Sequence, residues 1–398
     1  MRILYIASGT RMSGGATKSF LAMLCEADKA GIEYEVICPD EKGLTAYLKE
    51  KGIKVHVVHY RHACLPPTEG VMNKVKWIPR LVHNYWINLK ARPLVDGIAR
   101  RFSPDIIHEN SSVIDVGFYA AKRNNMPDVV HIREYGDMDF KMRLPGRDRR
   151  LADPNVYTIS ITKDIQKHTH QDINPRGSQI YNGIVRDVDF RYDSDKKRFF
   201  LYAGRIEKAK GVSELLKAYV SYSRRIDNAY TLYMAGGCNY PSYLESLKSY
   251  LAKEGCGDKV IWLGDREDVG DIMAEATATI IPSRFEALGR VMPEAMANGC
   301  LCVGRNTGGT KEQMDNGREY IGRDIAISYE TVEQLSEILL DISQKADHDD
   351  PFAPGGEYES MIQDAMKTVR TFFSEEFFGR YLIDFYKRIV SERPRLSS

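Results

Sequence analysis

Apolar residues along the chain come in short runs that alternate with longer stretches of helical spacing. Runs at 3–7, 34–38, 55–59, 104–108, 129–134, 156–160 and 179–183 fill the first half, and runs at 199–203, 231–235, 260–264, 278–282 and 301–303 fill the second. Runs this short, bounded by polar or glycine-rich turns, predict strands buried on both faces. Between them, stretches at about 16–27, 43–51, 212–225, 241–253, 269–276, 331–341 and 358–371 have the 3.6-residue period of half-buried helices. Strands alternating with helices throughout predict an α/β protein with two doubly wound domains, at about 1–185 and 186–371, with a polar linker over 186–198.

One stretch carries the densest chemistry. The apolar run at 278–282 leads into a polar turn, 283–289, then a short helix from about Arg290 to Asn298 and a second apolar run at 301–303. Pro293 is tolerable only in the first helical turn, and Gly299 supplies the left-handed stop. The helix N-terminus of such a βαβ unit aims unpaired N–H groups past the strand end, which suits a phosphate. Glu286 precedes that N-terminus and Glu294 lies within the helix. A second polar loop, Gly204-Arg-Ile-Glu-Lys-Ala-Lys-Gly211, follows the run at 199–203 and contributes Arg205, Lys208 and Lys210. Fixed cations in such a loop suit an anionic ligand.

The string Pro282-Ser-x-x-Glu286-x-x-Gly289-x-x-x-x-Glu294-Ala-Met-Ala-x-Gly299 resembles the Glu-x7-Glu hallmark of the retaining glycosyltransferases of family 4. The Gly-Arg…Lys-Gly loop is similar to the same family's diphosphate-binding loop. That resemblance implies the GT-B fold, two Rossmann-like domains facing across a cleft, with a closing helix at about 372–392 that returns to the first. It implies that Glu286 orients the donor sugar, that Glu294 binds the ribose, and that Arg205, Lys210 and the amides around Leu288 and Gly289 hold the diphosphate. By the same resemblance Gly14 and Gly15 face the diphosphate, Arg266 (with Asp265) lies near the base, and Gly308-Gly309 borders the donor. Asn182-Gly183 matches the entry to the second domain, and His131 sits near the reacting sugar. The catalytic group is then Glu286, His131, Arg205 and Lys210.

Ligands collect beyond the carboxyl ends of parallel strands, so His108, Asn110, Arg133 and Glu134 are candidates for the acceptor side. A histidine closing a strand is also a common core residue. The charged segment 137–150, with Lys141, Arg143, Arg147, Arg149 and Arg150, reads as a mobile loop or a solvated run. Asp137-Met-Asp139 and Asp187-Val-Asp189 imitate a metal-binding Asp-x-Asp, but neither follows a buried strand. No metal and no cofactor is expected beyond a nucleotide-sugar co-substrate, a UDP-sugar ahead of a GDP-sugar. The expected partner is a glycan or lipid-linked acceptor.

Residues 74–92 stand apart. Trp77, Ile78, Leu81, Val82, Tyr85, Trp86 and Leu89 share one helical face, and Lys76, Arg80, His83 and Lys90 lie roughly opposite. Pro79 is expected to start this helix and Pro93 to end it. Two readings stay open: the aromatic face packs on its own domain, or residues 79–92 make a peripheral contact with an anionic membrane.

Composition changes little. The 398 residues are 43% hydrophobic and 28% charged with a net charge of +1, an ordinary globular balance that gives no reason to expect nucleic acid. The seven cysteines form no Cys-x-x-Cys and are expected to be free buried thiols in a reducing, cytoplasmic setting. The first run is too short for a signal peptide, and no run of 18 apolar residues occurs. Two rival functions remain: another GT-B enzyme, such as a sugar-nucleotide epimerase or a phosphorylase, or a silent sugar- or nucleotide-binding subunit.

Overall fold

The computed structural model describes residues 1–12, 14–66, 71–140 and 142–392; Ser13, residues 67–70, Lys141 and the tail from 393 lie outside the described residues. The chain divides into two compact units, Met1–Gly183 with Glu375–Ser398, and Ile184–Ser374.

In the first unit, β1 (Arg2–Ile6), β2 (Glu33–Cys38), β3 (Val55–Val57), β4 (Ile106–Glu109), β5 (Asp128–Ile132), β6 (Val156–Ser160) and β7 (Gly177–Gln179) form one sheet in the order β3-β2-β1-β4-β5-β6-β7. In the second, β8 (Lys197–Ala203), β9 (Thr231–Ala235), β10 (Val260–Gly264), β11 (Ala276–Ile281), β12 (Leu301–Arg305) and β13 (Ile327–Tyr329) are ordered β10-β9-β8-β11-β12-β13. Every ladder is parallel, with Ile280 opposite Val303 and Ala278 opposite Phe200 in the second sheet. Both sheets are doubly wound as expected, and β13 is a strand that the short polar run 327–329 does not announce. The strand order reverses between β1 and β4 and again between β8 and β11, which are the places where such sheets open for ligands.

The closing helix, Glu375–Glu392, belongs to the first unit for a packing reason. Its Phe378, Leu382, Phe385, Tyr386 and Ile389 share one buried cluster with Tyr5, Phe20 and Met23. Gly183 lies so close to this helix that a Cβ there would stand 2.8 Å from the Glu375 Cα.

Three expectations need correction. First, Pro93 does not end its helix: one helix runs Trp77–Phe102 with Pro93 inside. Proline in a helix interior removes a hydrogen bond, but Val95, Ile98, Ala99 and Phe102 past it are all buried in one core cluster, with Ala91 before it. Each such burial contributes roughly 1–3 kcal/mol, enough to outweigh the break. Second, the segment 137–150 is only in part a solvated run: Arg143, Asp148 and Arg149 are exposed, but two other arginines are tied down. Arg147 Nη1 donates to the Tyr135 carbonyl at 2.9 Å, and the nearly buried Arg150 donates to the Ser112 and Ile114 carbonyls. Third, all seven cysteines are free, but Cys25 is exposed and Cys64 and Cys238 are half-buried.

Charge inside the first unit has a testable consequence. Asp128 at the start of β5 is fully buried, and neither carboxyl oxygen meets a hydrogen-bond donor among the described residues. Burial, opposed by the Arg150 guanidinium, pushes its carboxyl up to about 7. A raised carboxyl is disfavoured in its charged form, so folding carries that cost above pH 7 and sheds it as pH falls toward the unfolded value. Asp128→Asn removes that titration, so its effect on stability is expected to be more favourable at pH 8 than at pH 5 by roughly 2–3 kcal/mol, at about 1.4 kcal/mol per pK unit. Thermal melts of both proteins at the two pH values check this; an equal shift at both would contradict it.

Candidate functional site

The second unit assembles its site from the loops that follow β8 and β11. Gly211 adopts φ +68°, and a Cβ there would collide with the Pro282 carbonyl. Only glycine permits that approach, and it lays the 204–211 loop against the start of the 283–289 turn. The Arg284 N–H closes the junction by donating to the Ala209 carbonyl at 3.2 Å.

At that junction Lys210 Nζ donates to Glu286 Oε1 at 2.6 Å, and Ser283 Oγ donates to the same oxygen at 2.7 Å. The pair is mostly buried, with Lys210 22% and Glu286 17% exposed at the side chain. Screening is weaker there than at the surface, so the pair is held in register. Nζ carries three donors, which leaves two for an incoming oxyanion. Lys210, Ser283, Glu286, Gly289 and Tyr202 line one small cavity of about 40 Å³.

The backbone of the turn is pinned from behind. Gly308, at φ +51°, and Gly309 lie directly against residues 286–288, and the Gly309 N–H donates to the Glu286 carbonyl at 2.8 Å. The buried Gln313 donates through Nε2 to the Leu288 and Gly289 carbonyls, at 2.6 and 2.8 Å. Both carbonyls of that stretch are thus satisfied from beneath. The short helix Val291–Ala297 follows, with no side-chain cap at its N-terminus and Pro293 in its first turn, and Gly299 stops it at φ +65°.

Arg205 and Glu294 are not part of that pair and do not line its cavity. Arg205 is 58% exposed and reaches its own neighbour Glu207 at 2.9 Å. Glu294 accepts from Arg290 Nε at 3.1 Å, and Arg290 Nη2 donates to the Ile184 carbonyl at 3.0 Å. Arg290 Nη1 is buried with no hydrogen-bond partner among the described residues. Arg266, beyond β10, is exposed and forks onto Asp268. Ser283, Arg290 and Gln313 are the members of this neighbourhood that sequence reasoning missed. The four-residue step from Arg290 to Glu294 was a readable helix-face signal. Gln313 offered none, because its contact is with backbone carbonyls 24 and 25 residues away.

In the first unit, Gly14 caps the helix Gly15–Lys29, which has no side-chain cap and no acid in its first turn. A Cβ at Gly14 would meet nothing closer than 3.6 Å, so packing does not require glycine there.

The strand-end candidates do sit together at the ends of β4 and β5, but their side chains face inward. His108 and His131 are fully buried, with ring centroids 5.5 Å apart, and His108 Nδ1 lies 2.5 Å from the Tyr386 hydroxyl of the closing helix. Arg133 donates to the Asn110 carbonyl and Oδ1, at 2.8 Å each, and to Asn182 Oδ1 at 2.5 Å; its Nη2 is 3.2 Å from His131 Nδ1. Glu134 accepts from Ser111 and Ser112. Burial, reinforced by the Arg133 charge, holds both imidazoles well below their ordinary range, so they are neutral. Asn110, Arg133 and Asn182 thus hydrogen-bond to one another at the sheet end, while His108 Nε2 and His131 Nε2 are buried with no hydrogen-bond partner among the described residues. The Asp-x-Asp pairs are likewise engaged, Asp137 with His168 and Asp189 with Arg186.

Each unit is thus a doubly wound, Rossmann-like sheet, and the second holds the Lys210–Glu286 pair at its switch point. Residues 187–353 match the family model described as Glycosyl transferases group 1. The chain is 24% identical over 170 residues to N-acetyl-alpha-D-glucosaminyl L-malate synthase of Bacillus anthracis, covering 40% of this chain and 43% of that protein. It is 31% identical over 188 residues to an uncharacterized glycosyltransferase of Methanocaldococcus jannaschii, covering 46% and 47%. Each match spans less than half of the relative's length. Among solved structures, a glycosyltransferase from Rickettsia africae superposes with a TM-score of 0.78 at 16% identity, over 98% of this chain and 99% of that one. Anabaena HepE in complex with UDP gives 0.75 at 18%, over 98% and 100%. The family model covers less than half of the chain, and the solved structures show that the fold is shared along nearly its whole length.

Proposed function

We propose that the chain is a retaining, metal-independent glycosyltransferase of the family 4 type. It moves a hexose from a nucleotide-diphosphate sugar, UDP-linked ahead of GDP-linked, to a hydroxyl of a glycan or lipid-linked acceptor in cell-surface polysaccharide or glycolipid synthesis. The observation that carries this reading is the 2.6 Å Lys210–Glu286 contact at the β8/β11 switch point, within the string that ends in Glu294. Lys210 and Arg205 neutralise the leaving diphosphate, the amides around Leu288 and Gly289 bind its oxygens, Glu286 orients the sugar and Glu294 takes the ribose hydroxyls. Charge developing on the diphosphate then meets fixed donors, the arrangement that stabilises a transition state more than a ground state. The named relatives and the UDP complex of HepE support the donor class.

A thermal-shift panel of UDP-, GDP-, ADP- and TDP-sugars with EDTA present tests this. Stabilisation by the UDP-sugars ahead of the others is expected. No stabilisation by any would overturn the donor reading, and a strict need for a divalent ion would overturn the metal-free part.

A further inference from the structure

Trp77 and Leu81 of the aromatic face of the Trp77–Phe102 helix are half-buried, but the rest of that face is not packed among the described residues. Ile78, Tyr85 and Trp86 are 66%, 56% and 55% exposed, and Val82 and Leu89 beside them are exposed as well. At 3.6 residues per turn these five occupy one stripe about 100° wide. Met72 and Val75, on the preceding short helix Val71–Val75, are exposed too. Single exposed apolar residues are ordinary; a contiguous set marks an interaction surface.

The buried side of the helix fixes how that stripe is presented. Asn88 donates to the Arg61 carbonyl at 3.0 Å and accepts from the Arg61 N–H at 2.8 Å. Trp77 Nε1 donates to the Pro66 carbonyl at 3.1 Å, and Ala91, Val95 and Ala99 enter the core. The helix is therefore anchored with its apolar stripe outward, and the stripe is a fixed feature of the surface.

Charge selects the occupant. From 71 to 91 the sequence holds Lys74, Lys76, Arg80, His83 and Lys90 but no aspartate or glutamate. Lys74, Lys76 and Lys90 make no ion pair among the described residues. Their charge is not neutralised locally, unlike that of Arg92, which pairs with Asp115. Isologous pairing with a second copy would bring like-charged flanks together. An apolar stripe with aromatic anchors, Lys90 near its edge and further unneutralised cations round the helix matches an anionic lipid surface. The geometry points to residues 72–90 as a peripheral membrane-docking face, with Tyr85, Trp86 and Ile78 entering the interface and Lys74, Lys76, Arg80 and Lys90 meeting anionic headgroups.

Co-sedimentation of the full chain with vesicles tests this, using phosphatidylcholine alone and phosphatidylcholine with about one-third phosphatidylglycerol. Retention on the anionic vesicles, lost in high salt and weak on the neutral ones, is expected. The double variant Tyr85→Ser/Trp86→Ser should lower partitioning about tenfold or more. The triple variant Lys74→Gln/Lys76→Gln/Arg80→Gln should lower it about fivefold per cation removed. All five positions are at the surface, and unchanged far-UV circular dichroism confirms the fold. No retention of the unaltered protein, equal retention of both variants, or a stable dimer that Trp86→Ser dissociates would each overturn the proposal. No donor is present in this experiment, so its failure leaves the transferase reading standing.

Discussion

Lys210→Ala is expected to lower kcat about 10²- to 10³-fold while the protein stays folded. Removing one preorganised donor from a developing anion typically has that effect, and Lys210 is the cation already fixed in the site, 2.6 Å from Glu286. The effect on folding is smaller. Glu286 keeps its bond from Ser283 Oγ at 2.7 Å, and the pair retains some exposure, so the cost stays near about 1–2 kcal/mol. Glu286→Gln separates the two roles. It keeps a hydrogen-bonding group of the same shape toward Ser283 but loses the charge that holds Lys210. If Glu286 positions the sugar and Lys210 neutralises the diphosphate, the two variants should be strongly non-additive in a double-mutant cycle. Steady-state rates of nucleoside diphosphate release, measured for both singles and the double, give the answer. Additive effects would mean that the contact has no part in the reaction.

Gly309→Val is expected to abolish donor binding and to destabilise the second unit by about 3 kcal/mol or more, at the upper end of what overpacking costs. A Cβ at 309 would stand 2.5 Å from the Leu288 carbonyl oxygen, 2.6 Å from its Cα and 2.8 Å from the Ala287 carbonyl oxygen. All three are backbone atoms, so no side chain can swing away, and the 286–289 turn itself must shift. Gly14→Ala is the counterpart. Its Cβ would have ordinary contacts only, so melting should be unchanged. Loss of donor affinity in a normally folded Gly14→Ala would show that the backbone there approaches a ligand; full affinity would remove Gly14 from the donor site. Calorimetric melts paired with nucleotide titrations separate the two cases.

The two glycine positions also show what the sequence could and could not disclose. The strings around Lys210, Glu286 and Glu294 were readable because the strand–turn–helix context fixes where such residues stand. The apolar runs flanking them leave little choice of register. Gly308-Gly309 was readable as glycine that matters, though its packing against the 286–288 turn was not. The histidines show a different limit. β5 is buried along its whole length, so alternation cannot reveal which way His131 points, and its ring turned toward Phe378 and His108. Pro93 misled because local propensity favours a stop there, and tertiary burial of the next three turns overrode it. The aromatic stripe of the same helix could be seen in the spacing, but spacing identifies a face without telling whether anything covers it.

Titration calorimetry of UDP against the full chain in EDTA tests the central claim most directly. The account predicts one-to-one binding without added metal, weakened at least about tenfold by Lys210→Ala, as expected when a charge-assisted phosphate contact is lost. No binding, binding only with a divalent cation, or equal affinity of the variant would contradict it.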